Sequence, residues 1–299
     1  MIWVISLQLR SKQSLHKLMY IVSFHMIFNE NANTLAQRLA IPFVQEMKPK
    51  PNDIIIVFGA QECADKLLAI QDAMPIHYII IQSEQFHSKV FDNKFYLRLL
   101  QQNSALDFSK ENVKRLKKHI PTPFYSIYFY DFFQSETPKF EDRTIDFFFC
   151  GSKSPERERL LNELKRNHPD NTFEIDFSYS YINPLELNEK LKQVKYVVNI
   201  PYYKDNALET HRINRAISMG CQVISMPSYD KDLNSKYEPY IHIFPHLSDF
   251  SLLLEQDTKK TYVQMMDDFG IYQIQSNMNG IKLAEKKLNE KIALQKLTS

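Results

Sequence analysis

A chain of 299 residues is long for one compact domain and suits two of about 150 residues each. With 44% hydrophobic and 24% charged residues it has the composition of a globular protein with a sizeable core. Its 37 basic and 35 acidic residues leave a formal charge of +2, which argues against a nucleic-acid partner, because phosphate contacts need a basic surplus.

The N-terminal stretch MIWVISLQLRSKQSLHKLMYIVSFHMIF is apolar but is interrupted by Arg10, Lys12, His16 and Lys17. Neither apolar piece approaches the roughly 20 residues that span a bilayer, and no small-residue cleavage site follows. Two short strands are expected there, or a ragged leader before a first strand at about 19–27, with His25 a core histidine on it. Residues 33–47 place Leu35, Leu39 and Phe43 at helical spacing. Strands are expected at 53–58, 77–82, 145–150, 172–177, 195–200, 221–226 and 240–244. Several are unbroken apolar runs, the mark of parallel strands covered on both faces. Helical patterns at 154–167, 184–193 and 206–219 alternate with them, the first opened by Ser154 and Pro155. That alternation predicts doubly wound α/β lobes.

Residues 119–144 break the rhythm with three prolines and a dense aromatic cluster, so they are expected to link two lobes. The division expected is 1–135, 136–265 and a helical tail over 266–299 that packs back on the first lobe. Residues 110–118 carry five Lys or Arg on a helix, a solvated face or a peripheral contact with an anionic membrane surface. Cys63, Cys150 and Cys221 are far apart and form no CxxC pair, which points to buried thiols in a reducing cytoplasm, without disulfides or zinc.

Glycine occurs only five times, so its places are informative. Gly59 and Gly151 each follow a strand, where a ligand can approach the backbone closely. In DFFFCGSKSPERERLL, Gly151 and Ser152 open onto a helix N-terminus with Lys153 and Arg157 nearby, a setting for a diphosphate or an ordinary capped turn. In VVNIPYYKDNALETHRINRAISMGCQVIS, Tyr202 and Tyr203 lead into a helix bearing Glu209, Arg212 and Asn214. Glu209 is suited to accept from sugar or ribose hydroxyls and Arg212 to pair with phosphate oxygens, unless the two simply pair with each other one turn apart. Glu84 and His87 follow the strand at 77–82, and either is a candidate general base or a polar loop residue. Asp230, Lys231 and Asp232 spell a DxD, read here as a polar loop, and no metal site is expected. There is no GxGxxG, HExxH, GxSxG or P-loop.

Leu208, Glu209, Arg212, Ile213, Ala216, Gly220, Val223, Ile224 and Ser225 match in register the donor-site signature of GT-B glycosyltransferases of the "glycosyl transferases group 1" superfamily. HYIIIQSEQ and LDFSKENVKRL also resemble the first lobe of sugar transferases from bacterial surface-polysaccharide clusters and large DNA viruses. The resemblance covers about residues 53–260. It implies two Rossmann-like lobes, a nucleotide-sugar donor in the second, a glycan or other hydroxyl acceptor facing the first, and no required metal or other cofactor. The chain departs from the family at Arg215, where a second glutamate is usual. That departure leaves open a non-catalytic nucleotide- or sugar-binding protein on the same scaffold.

Overall fold

In the computed structural model, which describes residues 18–118, 120, 125–134, 136–177, 183–203, 205–246, 259–269, 282, 286 and 288–290, the apolar runs form two separate parallel sheets. The first contains β1 (Met19–Ser23), β2 (Phe43–Val44), β3 (Ile54–Phe58), β4 (His77–Gln82), β5 (Ser104–Asp107) and β6 (Tyr125–Ile127), in the order β2-β1-β3-β4-β5-β6. The central strands β3 and β4 are buried along their whole length, with Ile56 opposite Ile79. Their unbroken Ile/Val sequence follows from helices covering both faces. Those helices are α1 (Asn29–Leu39), α2 (Ala64–Ala73), α3 (Lys94–Gln102) and α4 (Lys110–Leu116).

The second sheet contains β7 (Ile145–Cys150), β8 (Phe173–Asp176), β9 (Val194–Asn199), β10 (Gln222–Ser225) and β11 (His242–Ile243), in the order β11-β10-β9-β7-β8. Around it lie α5 (Pro155–Asn167), α6 (Pro184–Leu191), α7 (Thr210–Ser218) and α8 (Lys231–Tyr237). Strand order reverses between β1 and β3 in one sheet and between β7 and β9 in the other. Such switch points open crevices at the carboxyl ends of parallel strands. The α/β class with two doubly wound lobes is therefore as the sequence predicts.

Several elements differ from expectation: no strand is expected at β5, and the helix expected over 206–219 begins only at Thr210. The first helix spans 29–39, because Ala40 turns left-handed (φ 53°) and Pro42 follows; Phe43 belongs to β2 and pairs with Ile21. β1 stops at Ser23, so His25 lies just beyond the strand, half-buried, where its Nδ1 accepts from the Ile27 N–H and starts a short turn. The 119–144 stretch does carry the chain from one sheet to the other, yet it contributes β6 and buries Tyr128, Phe129, Tyr130 and Phe132. These rings join a hydrophobic cluster that runs from Phe28 and Phe58 of the first lobe to Ile213 and Tyr237 of the second. Apolar packing therefore continues across the lobe boundary.

Residues 262–269 are helical and lie against that crossover. The Tyr262 hydroxyl donates to the Asp131 carboxylate (2.9 Å) and accepts from the Phe132 N–H (2.7 Å), while Phe269 stacks on Phe129. The rest of the expected tail and the first 17 residues lie mostly or wholly outside the described residues. Among the described residues no helix is long and apolar enough to cross a membrane.

Candidate functional site

The second-lobe wall starts where β7 ends. Ser154 caps α5 by accepting from the Arg157 N–H (3.2 Å), with Pro155 at the first helical position. Arg157 folds back from the first turn of α5, its side chain only 2% exposed. Its guanidinium donates to the carbonyls of Ile200 (2.7 and 3.0 Å) and Ser152 (2.8 Å), and to Glu209 (2.9 Å). Burial lowers its pKa to about 10, so it stays charged at neutral pH. Glu209, just ahead of α7, also pairs with Arg212 one turn on, and Arg212 donates to Asn199 Oδ1 (3.1 Å) at the end of β9. The surface pair foreseen between Glu209 and Arg212 is thus one side of an Arg–Glu–Arg triad. A Cβ at Gly151 would lie 2.8 Å from Arg212 Nη2 and 3.1 Å from Arg157 Nη1, so a larger residue there would displace the two guanidiniums.

The first-lobe wall is the loop after β4. Glu84 accepts from Ser88 Oγ (2.8 Å) and Gln61 Nε2 (3.3 Å). Burial raises its pKa, against the Ser88 hydrogen bond that lowers it. Next to it, the Gln85 side-chain amide pairs with the Ala207 backbone through two 3.1 Å bonds and crosses the lobe boundary.

The two walls enclose a cleft of about 500 Å³. Ser83 and Glu84 face it from one lobe, and Ser152, Arg157, Tyr202, Tyr203, Glu209 and Arg212 from the other. Phe28, Tyr130 and His211 also line it. His211 is half-buried against Phe28, Tyr130 and Phe132, with Nε2 2.9 Å from Asn31 Oδ1; desolvation and then the nearby arginines push its pKa well below the ordinary value, so it is neutral. Ser83 Oγ and Asn206 Oδ1 both line the cleft and are buried without a hydrogen-bond partner among the described residues. Such groups cost free energy unless a ligand or water meets them.

The structure separates the two candidate bases. Glu84 enters the cleft, whereas His87 is exposed at the rim, packed on Phe86 with Nε2 3.2 Å from Arg115 Nη1. Lys153 turns outward to pair with Glu158 (2.8 Å). Asn214 is fully buried away from the cleft, donating to the Tyr130 carbonyl and accepting from the Tyr237 hydroxyl, both at 2.8 Å. Arg215 is also buried away from the cleft. It reaches the first lobe at Glu30 (3.2 Å) and the Ile27 carbonyl (3.2 Å) and lies 4.7 Å from the centre of the Phe132 ring. Asp230 caps α8 and accepts from Ser109 Oγ (2.5 Å) in the other lobe, while Asp232 lies 3.6 Å from Lys110. The DxD is therefore a helix cap at the lobe boundary rather than a loop. The sequence placed His211 on the helix with Glu209 and Arg212 without giving it a role, and passed over Gln61, Ser88 and Asn206. Ser88, four residues after Glu84, gave a faint signal, whereas only folding brings Gln61 to Glu84 and Asn206 to the cleft.

No protein-family model and no curated protein matches this sequence. Solved structures do match the fold. The crystal structure of Anabaena Alr3699/HepE in complex with UDP and glucose matches with a TM-score of 0.51 and 10% identity, over 95% of this chain and 100% of that one. The same Anabaena protein with UDP has a TM-score of 0.47 and 9% identity over the same shares. The first of these likenesses is one of fold: two Rossmann-like lobes in the GT-B arrangement.

Proposed function

We propose that this chain transfers a sugar from a nucleotide-sugar donor, held on the second-lobe wall, to a hydroxyl acceptor such as a glycan presented to Glu84. The observation that carries this reading is a single cleft with a desolvated carboxylate on one wall and an Arg–Glu–Arg triad on the other. Its fold is shared with a protein crystallised with UDP and glucose.

In this mechanism the donor diphosphate lies between the Gly151 turn and the start of α7. Arg212, Arg157 and the helix N-terminus there compensate the charge that builds on the departing phosphate. Glu84 removes the acceptor proton as the new glycosidic bond forms and the anomeric carbon–phosphate oxygen bond breaks. A positioned base of this kind contributes roughly 10²–10⁴-fold in rate. Burial suits Glu84 to the task, since a raised pKa makes its carboxylate a stronger base. Asn206 Oδ1 and Ser83 Oγ would accept from ligand hydroxyls. We propose further that transfer needs no metal, phosphate charge being met by the arginines, with Asp230 and Asp232 engaged elsewhere.

The test is a thermal-shift series with UDP-, GDP-, ADP-, CMP- and dTDP-sugars, since a ligand that binds only the folded state raises apparent stability. Chromatography of the best binder for hydrolysis or transfer follows. Binding of none of them sinks the proposal. One observation favours a non-catalytic nucleotide- or sugar-binding protein on this scaffold: Arg215 occupies the position of the usual second glutamate and is spent between the lobes. Binding without slow donor hydrolysis or transfer selects that alternative.

A further inference from the structure

Asp107 ends β5 completely buried, and neutral donors hold its carboxylate. Oδ1 accepts from the Ser109 N–H (2.9 Å), and Oδ2 from Gln82 Nε2 (2.7 Å) and Asn112 Nδ2 (2.8 Å). Burial pushes its pKa up to about 7, against those hydrogen bonds. Removing it would leave three buried donors without an acceptor, but stability does not say why a carboxylate rather than a neutral acceptor stands here.

The geometry of the two amides does. Where Asp107 is ionised, above about pH 7, its carboxylate can only accept, so each amide must turn its NH₂ toward Asp107 and its oxygen away. Gln82 Oε1 then accepts from the Glu84 N–H (2.5 Å), and its Nε2 also donates to the Glu84 carbonyl (2.9 Å). Asn112 Oδ1 accepts from the Phe86 N–H (2.7 Å), and its Nδ2 donates to the Glu84 carbonyl (3.0 Å). The third donor to Asp107, Ser109, sends its hydroxyl across the lobe boundary to Asp230 (2.5 Å).

We propose that Asp107 is the positioning residue of the acceptor-side wall: its carboxylate fixes the polarity of the Gln82 and Asn112 amides, which pin the backbone of Glu84. Through Ser109 it also registers that loop against the second lobe. This assignment rests on the reading of Glu84 as the acceptor base.

Asp107→Asn keeps the shape but presents both a donor and an acceptor, so the polarity of the two amides is no longer forced. Amide exchange at Glu84 and Phe86, resolved by NMR, is expected to speed by about tenfold. Turnover per UDP-binding site falls by about tenfold, because a loosened base misses its near-attack geometry, while UDP affinity stays within about twofold. Should Asp107→Asn fail to fold, Asn112→Ser serves instead, with exchange accelerated at Phe86 more than at Glu84, whose N–H bonds to Gln82. Unchanged exchange at both amides in a folded variant overturns the proposal. So does faster exchange with full turnover when Glu84→Gln is inactive, since that means the base needs no positioning. Full turnover in Glu84→Gln removes the base assignment instead, and the exchange rates alone then decide whether Asp107 orders the loop.

Discussion

The two walls of the cleft hold charge in opposite ways. On the second lobe, Glu209 sits between Arg157 and Arg212, so its charge is matched within the wall and its geometry is rigid. On the first lobe, Glu84 has hydroxyl and amide partners, Ser88 and Gln61, and burial works against its charged form. An ion-paired wall is suited to gripping a fixed anion, and a desolvated carboxylate to exchanging a proton. The difference teaches that, under the proposed function, one cleft would separate binding from proton transfer by choice of partner rather than by choice of acid.

The largest effect should come from dismantling the paired wall. Arg157→Ala leaves Glu209 and the Ile200 and Ser152 carbonyls short of their donor, so a loss of about 3–5 kcal/mol is expected. Urea unfolding measures it, and a loss under about 1 kcal/mol would mean that Arg212 alone satisfies Glu209.

Glu84→Gln attacks the opposite wall. Turnover should drop at least about a hundredfold with nucleotide affinity near wild type, as for a base that touches only the acceptor. Single-turnover kinetics with a true acceptor checks it, and retained turnover removes Glu84 from the mechanism.

Arg212→Ala should weaken nucleotide binding by roughly 1.5–3 kcal/mol, the range for a charge-assisted contact. Calorimetry with the best nucleotide decides, and unchanged affinity would move the phosphates away from α7.

The smallest effect is a shift in pH profile. A base works only when unprotonated, and burial raises Glu84 above its ordinary 4.5, so the acid limb of turnover should lie above that value. The Ser88 hydrogen bond lowers the Glu84 pKa, so Ser88→Ala should move the limb further toward alkaline pH. A limb that moves to lower pH in this variant would contradict the assigned hydrogen bond.

Much of the second wall was legible because its parts lie close together in the chain. Glu209 and Arg212 are one helical turn apart, and Gly151, Ser152 and Arg157 form a single strand-turn-helix unit, so local rules applied. Asn214 and Arg215 were harder: on the same short helix, which face meets the cleft and which meets the other lobe depends on packing. His87 and Glu84 looked equivalent as near neighbours after one strand. Only the loop path, pinned by Gln82 and Asn112, sent one into the cleft and left the other at the rim.

The sequence by itself determined the α/β class, the parallel sheets and the place of the strand-to-helix turns, because hydrophobic period, glycine and capping act within a few residues. Tertiary structure alone decided that the aromatic crossover is core and that Asp230 caps a helix at the lobe boundary. It alone brought Gln61 and Asn112 around the Glu84 loop and Asp107 beneath it. The side chains around that loop come from three separate segments of chain, so no local pattern can place them; only the closing of the sheet edge does.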